Sequence, residues 1–281
     1  MSILVVVVTY HSNRVITQTL NAVFKQLSAQ DSLVLVNNGG TDIPNYAADT
    51  LACRFIHHDS PKNLGFCGGN NLGLTLGNWQ HFDAVLLLNP DLILPDGWLM
   101  RARDYLRQHQ QQRIGILSGP LISYDFEHKR PLPRIDSLGI GVGRIAGLWQ
   151  DMGQGQPFNG DVDSLPLINP PEAICGALML IPQAAIKAVM VNGQLFDERF
   201  SSYKEDIDLS LRMSAANFSL IIEKSLLAYH GRGWNADRRA VPYHLRLQSA
   251  RNDILLHWKN RKRYLFLSLI KWCYVRFIEK K

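Results

Sequence analysis

Residues 3–9 form a continuous, mostly β-branched run, the pattern of a parallel strand buried on both faces. Downstream the period changes. Val15, Ile16, Leu20, Val23, Phe24 and Leu27 recur at helical spacing, and Ser12 stands where it can cap that helix. A second buried strand over 32–36 runs into the turn Asn37-Asn38-Gly39-Gly40, a short third strand covers 54–57, and a helix is expected over 70–79. A fourth strand over 84–88 stops abruptly at Asn89-Pro90-Asp91; a helix over 97–109 and a strand over 114–117 continue the alternation. Strands separated by helices of this length predict a mostly parallel α/β sheet, whose ligands bind outside the carboxyl ends of the strands. From 119 to 171 glycine and proline replace the periodicity, and loops with short strands over one end of the sheet are expected. Order returns with a strand over 173–181, a helix from 182, a helix over 206–215, a strand over 220–229 and two C-terminal helices near 241–258 and 262–279.

The 281 residues are 46% apolar and 19% charged, a globular composition with room for a sizeable core. Cys53, Cys67, Cys175 and Cys273 lie far apart with no C-x-x-C pair, which supports neither a zinc knuckle nor a disulfide framework. The apolar start has no basic stretch before it and no small-residue cleavage site. It reads as a strand rather than a secretion signal, and a cytosolic protein is expected. Charge is concentrated at one end: residues 259–281 hold eight basic residues against Glu279, a net +7, while residues 1–258 hold 22 basic and 23 acidic residues. The neutral body argues against nucleic-acid binding over the whole surface, and the basic tail needs its own account.

Polar groups follow three of the expected strands: Thr9-Tyr10, Asn37-Asn38 and Asn89-Pro90-Asp91. In a parallel sheet these ends share one rim. Between them lies the glycine-rich stretch from Asn63, Leu64, Gly65 and Phe66 to Gly68, Gly69, Asn70, Asn71 and Gly73. There, backbone N–H groups and a helix N-terminus could converge on an anion, and the carboxamides could meet ribose hydroxyls or a base edge. Asp91, at the mouth of an apolar strand, suits Mg²⁺ or Mn²⁺ completed by diphosphate oxygens and water. Glu205, Asp206 and Asp208 open a helix, where they either complement its dipole or supply a general base to a substrate hydroxyl. His230 precedes Gly231-Arg232-Gly233-Trp234 and is either a metal ligand or a satisfied loop residue. The G-x-G-x-x-A match from Gly139 to Ala146 lacks a preceding buried strand and a suitably spaced acidic residue, so a nicotinamide cofactor is not expected.

Taken together, these motifs resemble family 2 glycosyltransferases of the GT-A fold, most closely the bacterial rhamnosyltransferase-like branch. The resemblance rests on Val7-Val8-Thr9-Tyr10, the 63–73 stretch, Leu88-Asn89-Pro90-Asp91 and Lys204-Glu205-Asp206-Ile207-Asp208-Leu209. It implies a GT-A (Rossmann-like) domain over 1–235, with a nucleotide-sugar-binding half (1–118) and an acceptor or catalytic half (119–235), followed by a basic amphipathic helical tail over 236–281. It also implies an inverting, metal-dependent transfer of a sugar, with L-rhamnose from dTDP-L-rhamnose favoured, onto a lipid-linked or surface polysaccharide such as O-antigen. Asn89-Pro90-Asp91 stands at the family's D-x-D motif, so Asp91, with His230, would hold Mg²⁺ or Mn²⁺. Asp206 stands at the catalytic base, beside Glu205. Thr9, Tyr10, Asn37, Asn63, Gly65, Asn70, Asn89 and Arg232 would contact the nucleotide sugar. Asn37 replaces the usual aspartate that accepts from a pyrimidine N3–H; its carbonyl can still accept, and its NH₂ could donate to a ring carbonyl. Asn89 removes one charge from the metal motif, and Trp234 stands where small polar residues are usual.

Residues 262–279 are rich in aromatic and aliphatic side chains from Tyr264 to Ile278, interrupted by basic Lys271 and Arg276, and the longest charge-free run is far shorter than the roughly 20 residues that span a bilayer. The tail therefore suits an anionic membrane surface beside a polyprenyl-linked acceptor, on the inner face of a bacterial plasma membrane, or packing on the domain or in a homodimer. A UDP-sugar such as UDP-galactofuranose is the alternative donor. A nucleotidyltransferase would carry a G-x-G-T/S-R-x-x-P-x-x-K loop near the first strand, which Thr9 to Arg14 does not supply. A non-catalytic sugar-binding relative is the third reading.

Overall fold

The computed structural model describes residues 1–46, 51–143, 149–231, 241–260 and 262–279. In chain order the elements are β1 (Ile3–Thr9), α1 (Ile16–Phe24), β2 (Ser32–Asn37), β3 (Arg54–Asp59), α2 (Gly65–Gly77), β4 (Ala84–Leu88), β5 (Leu92–Ile93), α3 (Trp98–Gln108), β6 (Ile114–Ser118), β7 (Leu121–Asp125), β8 (Arg130–Ser137), β9 (Ile140–Val142), β10 (Trp149–Asp151), β11 (Leu178–Pro182), α4 (Gln183–Val189), α5 (Glu205–Ala215), β12 (Ser219–Ile222), β13 (Ala228–His230), α6 (Tyr243–Lys259) and α7 (Leu265–Phe277). Seven strands form the central sheet in the order β12-β6-β11-β4-β1-β2-β3. Every pairing is parallel except those of β11 with β4 and β6, as the strand–helix alternation predicts. β4, β1 and β2 are neighbours, so Asn89, Thr9 and Asn37 do share one rim.

Successive strand residues point to opposite faces, and the core follows that period. Ile3, Val5 and Val7 join α1 and α3 on one face, while Leu4 and Val6 join α2, α4 and α5 on the other. The division expected at residue 118 is crossed by the sheet, because β11 lies between β4 and β6. Leu256, from the C-terminal segment, is likewise part of the second core cluster.

Several boundaries differ from expectation for visible reasons. Ser12 caps α1 with its carbonyl, which accepts from Val15 and Ile16, while its hydroxyl turns back to Tyr10 O. The strand expected over 173–181 begins only at Leu178, because Ile174 N bonds to Ser210 Oγ and Gly176 N to Asp206 instead of to a ladder. The single strand expected over 220–229 is two, separated by a 3-10 turn at Lys224–Leu226 whose Ser225 N–H is capped by Glu223. β13 thereby leaves the central sheet and joins a second one, β5-β13-β7-β8.

The glycine-rich stretch is the main correction. Helix α2 begins at Gly65, not near Asn70, and Gly69, Gly73 and Gly77 line the face that meets β1. A Cβ there would stand 2.6 Å from Val8 Cγ1, 2.4 Å from Val6 Cγ1 and 2.6 Å from Leu4 Cδ2. Glycines at i, i+4 and i+8 thus meet alternate residues of one strand, and helix and sheet approach too closely for any side chain. The first-turn N–H groups already have protein partners: Gly65 N donates to Asn63 Oδ1, Phe66 N to Ser202 Oγ and Cys67 N to Ser201 O. The stretch is a packing face rather than an anion cradle. Gly73→Ala is therefore expected to destabilise by about 1–3 kcal/mol in urea unfolding, although alanine is the better helix former. Val6→Ala in the same chain should recover part of that loss; strict additivity of the two changes would show that the Val6 contact is not what the glycine serves.

At the C-terminal end α7 packs along α6. Ser268 and Val275 are buried, His257 Nδ1 lies 2.5 Å from Ser268 Oγ, Lys271 pairs with Asp253, and Arg246 Nη1 lies 2.5 Å from Glu279 Oε2. No helix of the described residues is long and apolar enough to cross a membrane.

Candidate active site

A cleft of about 510 Å³ opens beside the carboxyl ends of the central strands, and Asn89, Asp91, Gly176, Glu205, Asp206 and His230 all line it. Residues 115 positions apart in the chain, Asp91 and Asp206, meet there. The short β5 explains half of this. Leu92 pairs antiparallel with His230, and Gly231 N donates to Asp91 O at 2.8 Å, so the two ends are tied side by side.

His230 is 4% exposed. Its Nδ1 lies 2.8 Å from Asp136 Oδ2, and its Nε2 lies 3.3 Å from Asp91 Oδ1, a charge contact without hydrogen-bond alignment. Burial alone would lower the imidazole pKa, but the charge of Asp91 and the hydrogen bond to Asp136 override it and raise the value to about 9. Asp136 fixes the ring so that Nε2 faces the cleft, the role of a carboxylate behind a ligating histidine. Among the described residues no group of three or more His, Cys, Asp or Glu side chains could hold a metal ion. The residues fit a hard divalent cation if Asp91 and His230 Nε2 supply two ligands, with diphosphate oxygens and water to complete the shell.

Asp206 sits in the first turn of α5, where its Oδ2 accepts from Gly176 N at 3.1 Å and its Oδ1 from Ile207 N at 2.8 Å. Burial raises its pKa, and those two N–H groups together with Lys204 oppose the rise. Glu205 is 7% exposed, and its Oε2 has no hydrogen-bond partner. Burial, and then the charge of Asp206, push Glu205 well above the ordinary glutamate range. Burial thus raises both carboxyls of the pair; the Gly176 and Ile207 N–H groups favour the ionised form of Asp206, while the charge of Asp206 disfavours that of Glu205, an asymmetry of the kind that separates acid from base roles.

A carboxyl whose folded pKa exceeds its unfolded value holds a proton that the unfolded chain has released, so stability falls as pH rises from the ordinary glutamate range through the raised value. Glu205→Gln should therefore melt about 2–4 °C above wild type at pH 8, the shift that one kcal/mol produces, with the gap closing toward pH 4. A variant that melts lower than wild type at pH 8 would show that the Glu205 carboxyl is ionised and held by a partner.

The remaining candidates divide. Thr9 is buried, with its hydroxyl 3.1 Å from Thr41 Oγ1, and Tyr10 is half exposed at the rim beside His11. Asn37 is buried, and both of its amide protons are engaged, with Thr41 O at 2.9 Å and Asp59 Oδ1 at 2.8 Å, so its NH₂ is not available to a base. Asn63 accepts from Gly65 N, Asn70 donates to Phe66 O, and Gly65 takes a φ of 70° where a Cβ would strike Ser201. These three serve the fold of the loop. Arg232 and Trp234 lie outside the described residues, as do Arg144, Ile145 and Ala146 of the G-x-G-x-x-A match.

Sequence reasoning missed Asp59, Asp136 and Asp151. Asp59 puts a carboxylate at the end of β3 beside Asn37, Asp136 lies behind His230, and Asp151 lines the cleft and contributes to the raised Asp206 pKa. A signal existed for Asp136, a charged residue between Ile135 and Ser137 at the buried end of β8.

Residues 4–132 match the family described as Glycosyl transferase family 2. The low-salt glycan biosynthesis hexosyltransferase Agl10 of Haloferax volcanii is 23% identical over 287 residues, covering 99% of this chain and 85% of the relative. The mannosyltransferase PcManGT of Pyrobaculum calidifontis, solved with GDP-Man and Mn²⁺, superposes with a TM-score of 0.54 at 13% identity over 98% of this chain and 70% of that one. Residues 1–349 of S. aureus TarS in complex with UDP-GlcNAc give 0.55 at 15% identity, over 99% and 73%. GalNAc-T7 with UDP, GalNAc and Mn²⁺ gives 0.63 at 11% identity, over 94% of this chain and 49% of that one. Residues 4–132 thus resemble family 2 glycosyltransferases, and the chain as a whole shares the GT-A fold of these solved structures.

Proposed function

We propose that the chain is an inverting, divalent-cation-dependent hexosyltransferase, with L-rhamnose from dTDP-L-rhamnose as the first donor to test and a UDP-sugar as the second. One observation carries the reading: Asp91, His230 and Asp206 open onto one cleft large enough for a diphosphate and a sugar. Asp206 accepts the proton of the acceptor hydroxyl as that oxygen forms its bond to the donor C1. The bond from C1 to the diphosphate oxygen breaks on the opposite face, and its electron pair leaves with the nucleoside diphosphate. Asp91 and His230 would hold Mg²⁺ or Mn²⁺, which would supply charge neutralisation to that leaving group. Glu205, whose anion burial and the charge of Asp206 disfavour, leaves Asp206 the better-placed base of the pair. Residues 1–118, with Thr9, Tyr10, Asn37 and Asn89 on the rim, face the donor, and 119–235 face the acceptor.

A panel of nucleotides and nucleotide sugars, read by thermal shift with and without Mn²⁺, tests this. At a hundredfold excess over Kd the right donor stabilises by about 2.7 kcal/mol. No stabilisation by any nucleoside diphosphate at millimolar concentration sinks the reading.

The acceptor on this reading is a polyprenyl-linked glycan such as an O-antigen precursor, met by a peripheral protein on the cytoplasmic face of the bacterial plasma membrane. Seven large apolar side chains at the end of the chain stay exposed (Phe266, Leu267, Leu269, Ile270, Tyr274, Phe277 and Ile278), and the segment that carries them has a net charge of +7. Phe266→Ser with Ile270→Ser and Phe277→Ser should abolish flotation with vesicles rich in anionic lipid. Unchanged flotation removes the membrane claim, and a dimer in solution that the same changes dissociate assigns the face to a second copy.

A further inference from the structure

The loop that leads into Glu205 and Asp206 follows an unusual path. Ser201, Tyr203 and Lys204 have φ of 59°, 75° and 73°, left-handed values at three residues that are not glycine. Such a path persists only where its surroundings hold it. One side is held by α2, through Cys67 N to Ser201 O and Phe66 N to Ser202 Oγ. The other side is held by α6, and there one residue dominates. Asn252 is 1% exposed, and its amide nitrogen lies 2.7 Å from Phe200 O, 2.8 Å from Ser202 O and 2.8 Å from Tyr203 O. Gln248, one turn earlier, reaches the first two of these carbonyls at 3.3 and 3.2 Å.

We propose that Asn252 is a positioning residue for Asp206: by gathering three loop carbonyls it fixes residues 200–204, and with them the point where α5 begins and the direction in which the Asp206 carboxylate meets the cleft. The proposal rests on reading Asp206 as the base. It gives the C-terminal helices a part in the chemistry, since α7 braces α6 through Lys271 and Asp253, one residue from Asn252.

The test compares Asn252→Ala with Asn252→Asp, which keeps the shape of the side chain and removes its N–H donors. Both should lower kcat at least tenfold with the donor KM within about twofold. Both should also speed hydrogen exchange of the 201–208 amides at least tenfold while β1 and β4 keep their protection. In combination with Asp206→Asn, Asn252→Ala should add no further loss of kcat, because it acts through that carboxylate. Wild-type kcat in Asn252→Asp, or full additivity in the double variant, overturns the proposal. If Asn252→Ala does not fold, Asn252→Ser, which retains one donor, should give an intermediate loss and intermediate exchange; unchanged exchange at 201–208 overturns it equally. Hydrogen exchange does not depend on activity, so the loop can be judged even if Asp206 proves not to be the base.

Discussion

Asp206→Asn is expected to lower kcat for sugar transfer by roughly 10²–10⁴-fold, the range a positioned general base contributes, while donor binding stays within about twofold. The argument is geometric before it is electrostatic. The carboxylate is fixed by Gly176 N and Ile207 N, faces the cleft shared with Asp91, and has its pKa raised by burial toward the range in which a base works at neutral pH. The neighbouring carboxyl is poorly suited to take over, because burial and the charge of Asp206 disfavour the Glu205 anion and its Oε2 has no hydrogen-bond partner. Asparagine preserves size and one acceptor, so the loss should fall on kcat and not on the thermal shift produced by a nucleoside diphosphate. A variant that turns over at close to the wild-type rate, with saturating donor and acceptor, removes Asp206 from the base role. A variant that loses nucleotide binding as well shows that the carboxylate shapes the donor site instead.

How much of this could be read before the fold was known follows from which signals are local. The strands were legible because a run such as Ile3–Thr9 has no other use than a doubly buried strand, and because Asn37, Asn89 and Thr9 then fall on one rim by topology alone. Asp91 stood out just past the apolar strand over 84–88 and Asp206 at the opening of a helix, and the fold brings both to one cleft. The 63–77 segment misled, because glycine serves two opposite purposes. The same residues that free a loop for a phosphate also let a helix lie against a strand, and only the identity of the facing atoms, Leu4, Val6 and Val8, decides. Asp136 and Asn252 were missed for a different reason. Their value lies in partners 94 and about 50 residues away; Asp136 is marked locally only as a charge at the buried end of β8, and Asn252 is not marked at all. The break at residues 223–227 was missed although the polar Glu223-Lys224-Ser225 separates the apolar residues of β12 from those of β13. The chain changes sheets there at a short turn that Glu223 closes, and that change is what delivers His230 to Asp91.

Asp91→Asn is expected to weaken Mg²⁺-dependent binding of a nucleoside diphosphate by about 10–100-fold or more, measured by calorimetry. With asparagine already at position 89, Asp91 is the only carboxylate of the motif, and on the proposed reading its loss would leave His230 as the single protein ligand to a hard cation that prefers oxygen. The same site should show a characteristic pH dependence. With its pKa raised to about 9, His230 carries a proton at neutral pH that must leave before Nε2 can coordinate. Affinity for the cation and nucleotide together should therefore rise with pH below about 9, by up to about tenfold per unit, or up to about thirtyfold between pH 6.5 and 8.0. Proton release should appear as a dependence of the binding enthalpy on the ionisation enthalpy of the buffer. The phosphate of the ligand titrates over part of this range, and His230→Gln separates the two contributions, since it should retain only the share that belongs to the ligand. Equal affinities at the two pH values in wild type, or an Asp91→Asn protein that binds as tightly as wild type, would mean that this pair does not hold the cation and that the diphosphate is bound elsewhere in the cleft.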